Sequence, residues 1–255
     1  MTGKCMGIVH VHTSYSHDCR DSLEMLRAFC LARGIGWAAL TDHAEDLTPA
    51  IFSEFVARCA SISDDRVTLI PGLEYRFAGF PGLHLLALGQ HRWMNPETPA
   101  EFIRQSHQAS RFTIAAHPIL YDYQLPDAVL DGIDAVEIWN ATYNTRFLPD
   151  PRAIRLLHAA RNRRPEIVGT AGLDQHDSRN DRETRVMISA GESDPLLALK
   201  EGRFRNVGKT MSFDSVATMN PARFAALTLA RWLFDRIERA HRLLPARAAR
   251  SDAIV

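Results

Sequence analysis

Lysine is nearly missing from this 255-residue chain. It stands only at Lys4, Lys200 and Lys209, so arginine supplies 27 of the 30 basic residues. The bases are balanced by 30 acidic residues, which leaves a formal net charge of zero and argues against long nucleic-acid tracts as partners. No apolar run approaches the ~18 residues that a membrane-spanning helix needs. The opening stretch "MTGKCMGIVH" also lacks the apolar core of a secretory signal. Cysteine is sparse, with four residues (Cys5, Cys19, Cys30, Cys59) that show no CxxC spacing, so reduced thiols are expected rather than a disulfide framework or a zinc knuckle. These absences together predict a soluble cytoplasmic protein without a membrane partner. The sequence leaves its oligomeric state open.

What is present is a large apolar fraction, 46%, with no repeat or low-complexity linker to divide it. That suits one domain over residues 1–220, with a terminal helix and tail (221–255) packed on it. Short apolar runs alternate with helical stretches. "MGIVHV", "GWAALTDH", "RVTLIPGLE", "GLHLLALG", "FTIAAH", "IDAVEIWN", "EIVGTAGLD", "TRVMIS" and "NVGKTMSF" read as strands. "DSLEMLRAFCLARG" reads as a helix with Asp21 as its cap and Gly34 as its stop, and further helices are expected near 49–62, 97–110 and in "DPRAIRLLHAARNR". Strand–helix alternation implies βαβ units, a mostly parallel sheet and, at this length, an α/β barrel. From Pro221 to Leu244 the apolar positions Phe224, Leu227, Leu229, Trp232, Leu233 and Ile237 form a helical stripe.

Metal-competent side chains recur where those strands end. His10 and His12 close the first run, His43 the second and Glu74 the third. His84 lies in the fourth run, His117 ends "FTIAAH", and Asp174 and His176 follow "EIVGTAG". Active sites of parallel α/β folds form at the carboxyl edge of the strands. Residues two apart on a strand share a face, so His10 with His12, and Asp174 with His176, are expected to converge. Any one placement has a bland explanation, such as a helix cap or a satisfied core histidine. Six strands presenting such residues at one edge point to a metal site, and imidazole with carboxylate donors suits Zn, Mn or Fe. His91, His107, His158 and His241 fall outside the pattern and read as surface or packing residues.

The ordered motifs "HVHTSYSHD", "ALTDH", "IPGLE", "HLLALG", "AAHP", "VEIWN" and "GLDQH" resemble the polymerase-and-histidinol-phosphatase (PHP) superfamily of metal-dependent phosphoesterases, over about residues 8–215. The resemblance implies a distorted (β/α)7 barrel with a trinuclear centre at the carboxyl ends of its strands. It assigns His10, His12, Glu74 and Asp174 to a first site, and Glu74, His84 and His117 to a second. A third site takes His17, His43 and His176. The family pattern usually reads "HTxxSDG", with a carboxylate where this chain has His17; Asp18 is the alternative ligand.

The implied chemistry is hydrolysis of a phosphate ester of a small metabolite or nucleotide by hydroxide that two or three divalent ions make available. Glu74, Asp174 and His176 are its catalytic candidates. Arg146, Arg179, Arg182 and Arg185 are candidates for holding substrate phosphate, because the guanidinium fork matches phosphate oxygens. Asn140 is expected to orient a loop. The competing readings are a 5′→3′ exonuclease or phosphodiesterase on short nucleic acids, an amidohydrolase-like enzyme, and a non-catalytic metal-stabilised domain. The amidohydrolase reading lacks a candidate bridging lysine.

Overall fold

The computed structural model describes residues 5–109 and 111–243. In chain order its strands are β1 (Met6–Val11), β2 (Trp37–Leu40), β3 (Asp42–His43), β4 (Thr68–Ile70), β5 (Gly72–Arg76), β6 (His84–Leu88) and β7 (Phe112–Ala115). They continue with β8 (Ala135–Asn140), β9 (Val168–Gly172), β10 (Arg185–Ile188), β11 (Phe204–Val207) and β12 (Ser212–Asp214). The helices are α1 (Leu23–Ala32), α2 (Pro49–Ile62), α3 (Pro99–Gln108), α4 (Asp127–Leu130), α5 (Pro151–Arg161), α6 (Pro195–Lys200) and α7 (Pro221–Leu243).

Four of these helices begin the same way. Thr48, Thr98, Asp150 and Asp194 each accept a backbone N–H of the first turn through a side-chain oxygen, and each precedes a proline at the first helical position. Proline there loses no hydrogen bond and has its φ already set, so Thr-Pro and Asp-Pro are strong start signals. In α1 the cap is Ser22, not Asp21. Gly34, at φ +66°, follows the helix end as expected.

The strands pair into two six-stranded sheets, β12-β11-β10-β1-β2-β4 and β3-β5-β6-β7-β8-β9. Two chain courses serve both sheets. β2 runs into β3 across Thr41, and β4 into β5 across Pro71, which has no N–H to give a ladder. Gly72 follows because a Cβ there would stand 2.6 Å from the carbonyl oxygens of both Leu40 and Ala87. The core between strands and helices holds the fully buried Trp37, Phe52, Phe55, Phe102 and Trp139.

The expected mostly parallel arrangement holds for only half of the pairings. β1–β2, β2–β4, β3–β5, β7–β8 and β8–β9 are parallel, whereas β5–β6, β6–β7 and the β1–β10–β11–β12 ladder are antiparallel. The link from Arg76 to His84 is too short for a crossover, which needs a dozen or more residues. β6 therefore runs backward. Its first residue, His84, faces Arg76 and lies at the edge where its neighbours end. "NVGKTMSF", expected as one strand, splits into the end of β11, a turn, and β12.

The chain divides after Thr218. The second unit contains α7, on which Leu229, Trp232, Leu233 and Ile237 are exposed while Leu227 is buried. The side chain of His241, and Leu244 with the tail beyond it, lie outside the described residues. Among the described residues no helix is long and apolar enough to cross a membrane. The four cysteines are free.

Candidate metal centre

Three of the strand-end residues take backbone conformations that side-chain-bearing residues seldom adopt. His10 has φ +63°, His117 +27° and Asp174 +49°. At His10 the register of β1 against β2 slips between Val9 and Val11, a bulge that re-aims the side chain. His12 stands beyond the end of β1, and Asp174 and His176 beyond the end of β9. Simple alternation along a strand is thus not what makes these pairs converge. The bulge and the left-handed residues do it, and they cluster where function would compensate for strain.

Glu74 is the hub, with 1% of its surface exposed. Its Oε1 lies 2.7 Å from His84 Nδ1, 3.1 Å from His117 Nε2 and 3.7 Å from His10 Nε2. Its Oε2 lies 3.0 Å from His43 Nδ1 and 3.6 Å from His12 Nε2. Asp174 Oδ1 lies 3.5 Å from His10 Nε2, 3.4 Å from His12 Nε2 and 3.6 Å from His176 Nδ1. Asp18 Oδ2 joins His43 Nε2 at 3.2 Å and His176 Nε2 at 3.3 Å. Three groups result that could each hold a cation: His10–Glu74–His117, His10–His12–Asp174, and His12–Asp18–His43–His176.

The donor set could hold metal ions, on two counts. His10 Nε2, His12 Nε2, His43 Nδ1 and His117 Nδ1 are buried without a hydrogen-bond partner, which a folded chain ordinarily avoids. In addition, two donors each ~2.1 Å from one ion stand about 3.0 Å apart in octahedral and about 3.4 Å in tetrahedral geometry. Half of these nitrogen–oxygen pairs lie in that range, and the other half within about 0.3 Å of it. The charges agree. Burial opposes protonation of His10, yet the carboxylates of Asp174, Glu137 and Glu74 outweigh it and raise its pKa to about 10. Burial alone would raise Glu74 and Asp174, but the surrounding imidazoles hold both well below the usual carboxylate range. The pocket is built around positive charge.

A layer of polar groups behind the cluster fixes the rings. His10 Nδ1 lies 2.9 Å from Glu137 Oε1, while Glu137 Oε2 accepts from His117 N at 2.7 Å and Asn140 Nδ2 at 2.8 Å. Ser16 Oγ lies 3.3 Å from His12 Nδ1, accepts from His43 N and donates to Asp42, which also accepts from Thr13. Such partners set the tautomer and orientation of ligating histidines. Gly172 gives Glu137 its room, since a Cβ there would stand 1.7 Å from Glu137 Oε1.

No family model matches the chain, and no curated protein does either. Among solved structures, PsfC from Pseudomonas syringae aligns with a TM-score of 0.57 over 92% of this chain and 98% of that one. At 13% identity the likeness is one of fold.

Most sequence-predicted ligands meet: His10, His12, His43, Glu74, His84, His117, Asp174 and His176 all touch the cluster. His17 does not. Its ring is 61% exposed and lies 2.8 Å from Asp46 Oδ2, while its neighbour Asp18 takes the place beside His43 and His176. Both residues of the turn are exposed, but only the Asp18 carboxylate reaches between His43 and His176. The arginines divide as well. Arg179, 88% exposed, pairs with Asp177; Arg185 pairs with Asp181; the exposed Arg146 lies over the ring of Phe147. None of these three reaches the cluster. Only Arg182 lines the cavity that Asp174 and His176 also line.

Glu137, Asp42, Arg76 and Tyr143 were not anticipated. Glu137 had a signal, as the single charge inside the otherwise uncharged strand "AVEIWN". Arg76 sits two residues past Glu74, pairs with Glu45, and opposes protonation of His43 and His84. The Tyr143 ring lies 4.9 Å from that of His117. Asn140 orients its loop as expected, its Oδ1 accepting from Thr142 N and Tyr143 N. Of the histidines set aside, His107 lies 2.7 Å from Gly132 O and His158 3.3 Å from Val216 O, while His91 is exposed.

Proposed function

We propose that this chain is a metal-dependent phosphoesterase of the PHP type, acting on the phosphate ester of a small metabolite or nucleotide. The observation that carries the reading is Glu74, whose two buried oxygens are shared among five imidazoles, four of which have a buried, unpartnered nitrogen. Backbone hydrogen bonds between the two sheets support a distorted seven-course barrel. Leu173 N donates to Val9 O, Gln175 N to His10 O and His12 N to Gln175 O, which joins the end of β9 to β1. Counting β2/β3 and β4/β5 as single courses, the ring then runs β1, β2/β3, β4/β5, β6, β7, β8, β9.

Two or three divalent ions (Zn, Mn or Fe) would be held by His10, His12, Glu74 and Asp174, by Glu74, His84 and His117, and by His43, His176 and Asp18. When bound, such ions polarise phosphoryl oxygens and make hydroxide available near neutral pH. Glu74 keeps the ligand rings converged on one point. Asp174, held ionised, is placed to take the proton of the attacking water at its carboxylate. His176, on the cavity wall, keeps its ring stacked on that of His12, and the leaving oxygen would take its proton from water reaching the cavity. Glu137 and Asp42 hold His10 and the Thr13–Ser16 turn so that these groups need not move.

The amidohydrolase reading loses ground on its missing lysine: Lys200 ends α6, Lys209 pairs with Glu183, and Lys4 lies outside the described residues. The test is metal analysis and hydrolysis of phosphomonoesters, nucleotides, carboxylic esters and amides by protein loaded with Mn, Zn or Fe. Phosphomonoester turnover that disappears with the metal in Asp174→Ala and His10→Ala is expected. Full metal content and undiminished turnover in both variants, or turnover of amides alone, would overturn the reading.

A further inference from the structure

Beside Asp174 and His176 lies a cavity of about 220 Å³, whose wall also includes Thr142, Gln175, Asp177 and Arg182. Arg182 is fixed by donating from Nη1 to Ala141 O at 2.7 Å. Unlike Arg179 and Arg185, it has no carboxylate partner among the described residues, so its charge faces the cavity uncancelled. Asp177, the other acid on the wall, is held by Arg179 at 2.8 Å.

We propose that this cavity receives the part of the substrate that the phosphate leaves behind, and that it selects a group with a second anion for Arg182. The proposal rests on the phosphoesterase reading and narrows it. At ~30 Å³ per water, the space equals about seven waters, enough for a three- or four-carbon acid. The substrate class is thus a phosphate ester that also carries a carboxylate. Water cleaves its P–O ester bond, giving inorganic phosphate and the free alcohol, whose oxygen gains the proton and whose carboxylate stays on Arg182.

Protein loaded with manganese is assayed on 3-phosphoglycerate, glycerol 3-phosphate, 3-phosphooxypropanoate, adenosine 5′-monophosphate and p-nitrophenyl phosphate. Binding of 2-hydroxy-4-phosphonobutanoate, which cannot be hydrolysed, is measured calorimetrically. A hydrogen-bonded charge contributes roughly 10- to 100-fold, so 3-phosphoglycerate should exceed glycerol 3-phosphate in kcat/KM by about that factor. In Arg182→Gln that ratio falls below about 3-fold and phosphonate binding weakens in step. The variant is scored by a ratio of two substrates, so general loss of activity does not imitate the result. Should a variant fail to fold, the wild-type ratios and phosphonate binding decide. Turnover of p-nitrophenyl phosphate without a carboxylate preference, an unchanged ratio in Arg182→Gln, or faster turnover of adenosine 5′-monophosphate overturns the subsite. No turnover of any phosphomonoester overturns the phosphoesterase reading itself.

Discussion

The strand ends that carry Glu74, His10 and Asp174 and the segment 177–185 just downstream find partners for their charges in opposite ways. At the strand ends the partners are distant in sequence and buried: Glu74 meets His10 and His117, and His10 meets Glu137 and Asp174. In 177–185 both arginine–carboxylate pairs within the segment are local, the exposed Arg179 with Asp177 and the half-buried Arg185 with Asp181, although Asp181 also takes Arg33 and Glu183 takes Lys209 from elsewhere. A buried ionisable group must be matched by long-range convergence or it will not stay charged. An exposed arginine takes the nearest carboxylate at little gain. The chemistry is therefore expected where pairing is distant, and Arg182, which makes no ion pair among the described residues although Asp181 and Glu183 flank it, is the exception in its segment.

The sharpest way to break this contrast is Gly172→Ala. The new methyl would displace the Glu137 carboxylate and press on His10, whose Cβ lies 3.1 Å away. Loss of such a supporting group weakens metal affinity by about 10- to 100-fold, so competition against a chelator should show that drop. Unchanged affinity would mean that Glu137 does not hold His10. A smaller effect separates two adjacent residues. Asp18→Asn should lower affinity for the most weakly held ion by roughly 10-fold, while His17→Ala changes it less than about 2-fold. The reverse order would return His17 to the cluster. The smallest effect belongs to the locally paired arginines. Arg179→Ala should leave kcat/KM within about 2-fold of wild type, because an exposed pair contributes at most ~1 kcal/mol. A loss near 100-fold would draw that loop into the substrate site.

Much of this was legible in the residues, and the reasons differ by element. Thr-Pro and Asp-Pro pairs marked four helix starts because cap and proline act locally. The ligand residues were legible because imidazole and carboxylate at six strand ends have few other uses. What was hidden depended on geometry that no local pattern encodes. The backward course of β6 follows from the length of one link, and it alone places His84 correctly. The left-handed conformations of His10, His117 and Asp174 leave no trace in residue type. The choice of Asp18 over His17 turns on one tight turn, and the capture of Arg179 and Arg185 by local acids can be seen only once the loop is folded.

The central claim is that Glu74 holds a buried metal cluster together, and the most direct measurement is metal stoichiometry in purified wild-type and Glu74→Gln protein, with circular dichroism confirming that both are folded. The substitution keeps the shape of the side chain and removes the charge that five histidines share. The account predicts two or three equivalents of transition metal in the wild type, and fewer than one in Glu74→Gln. A folded wild type that takes up no metal, or a variant that keeps the full complement, would contradict it.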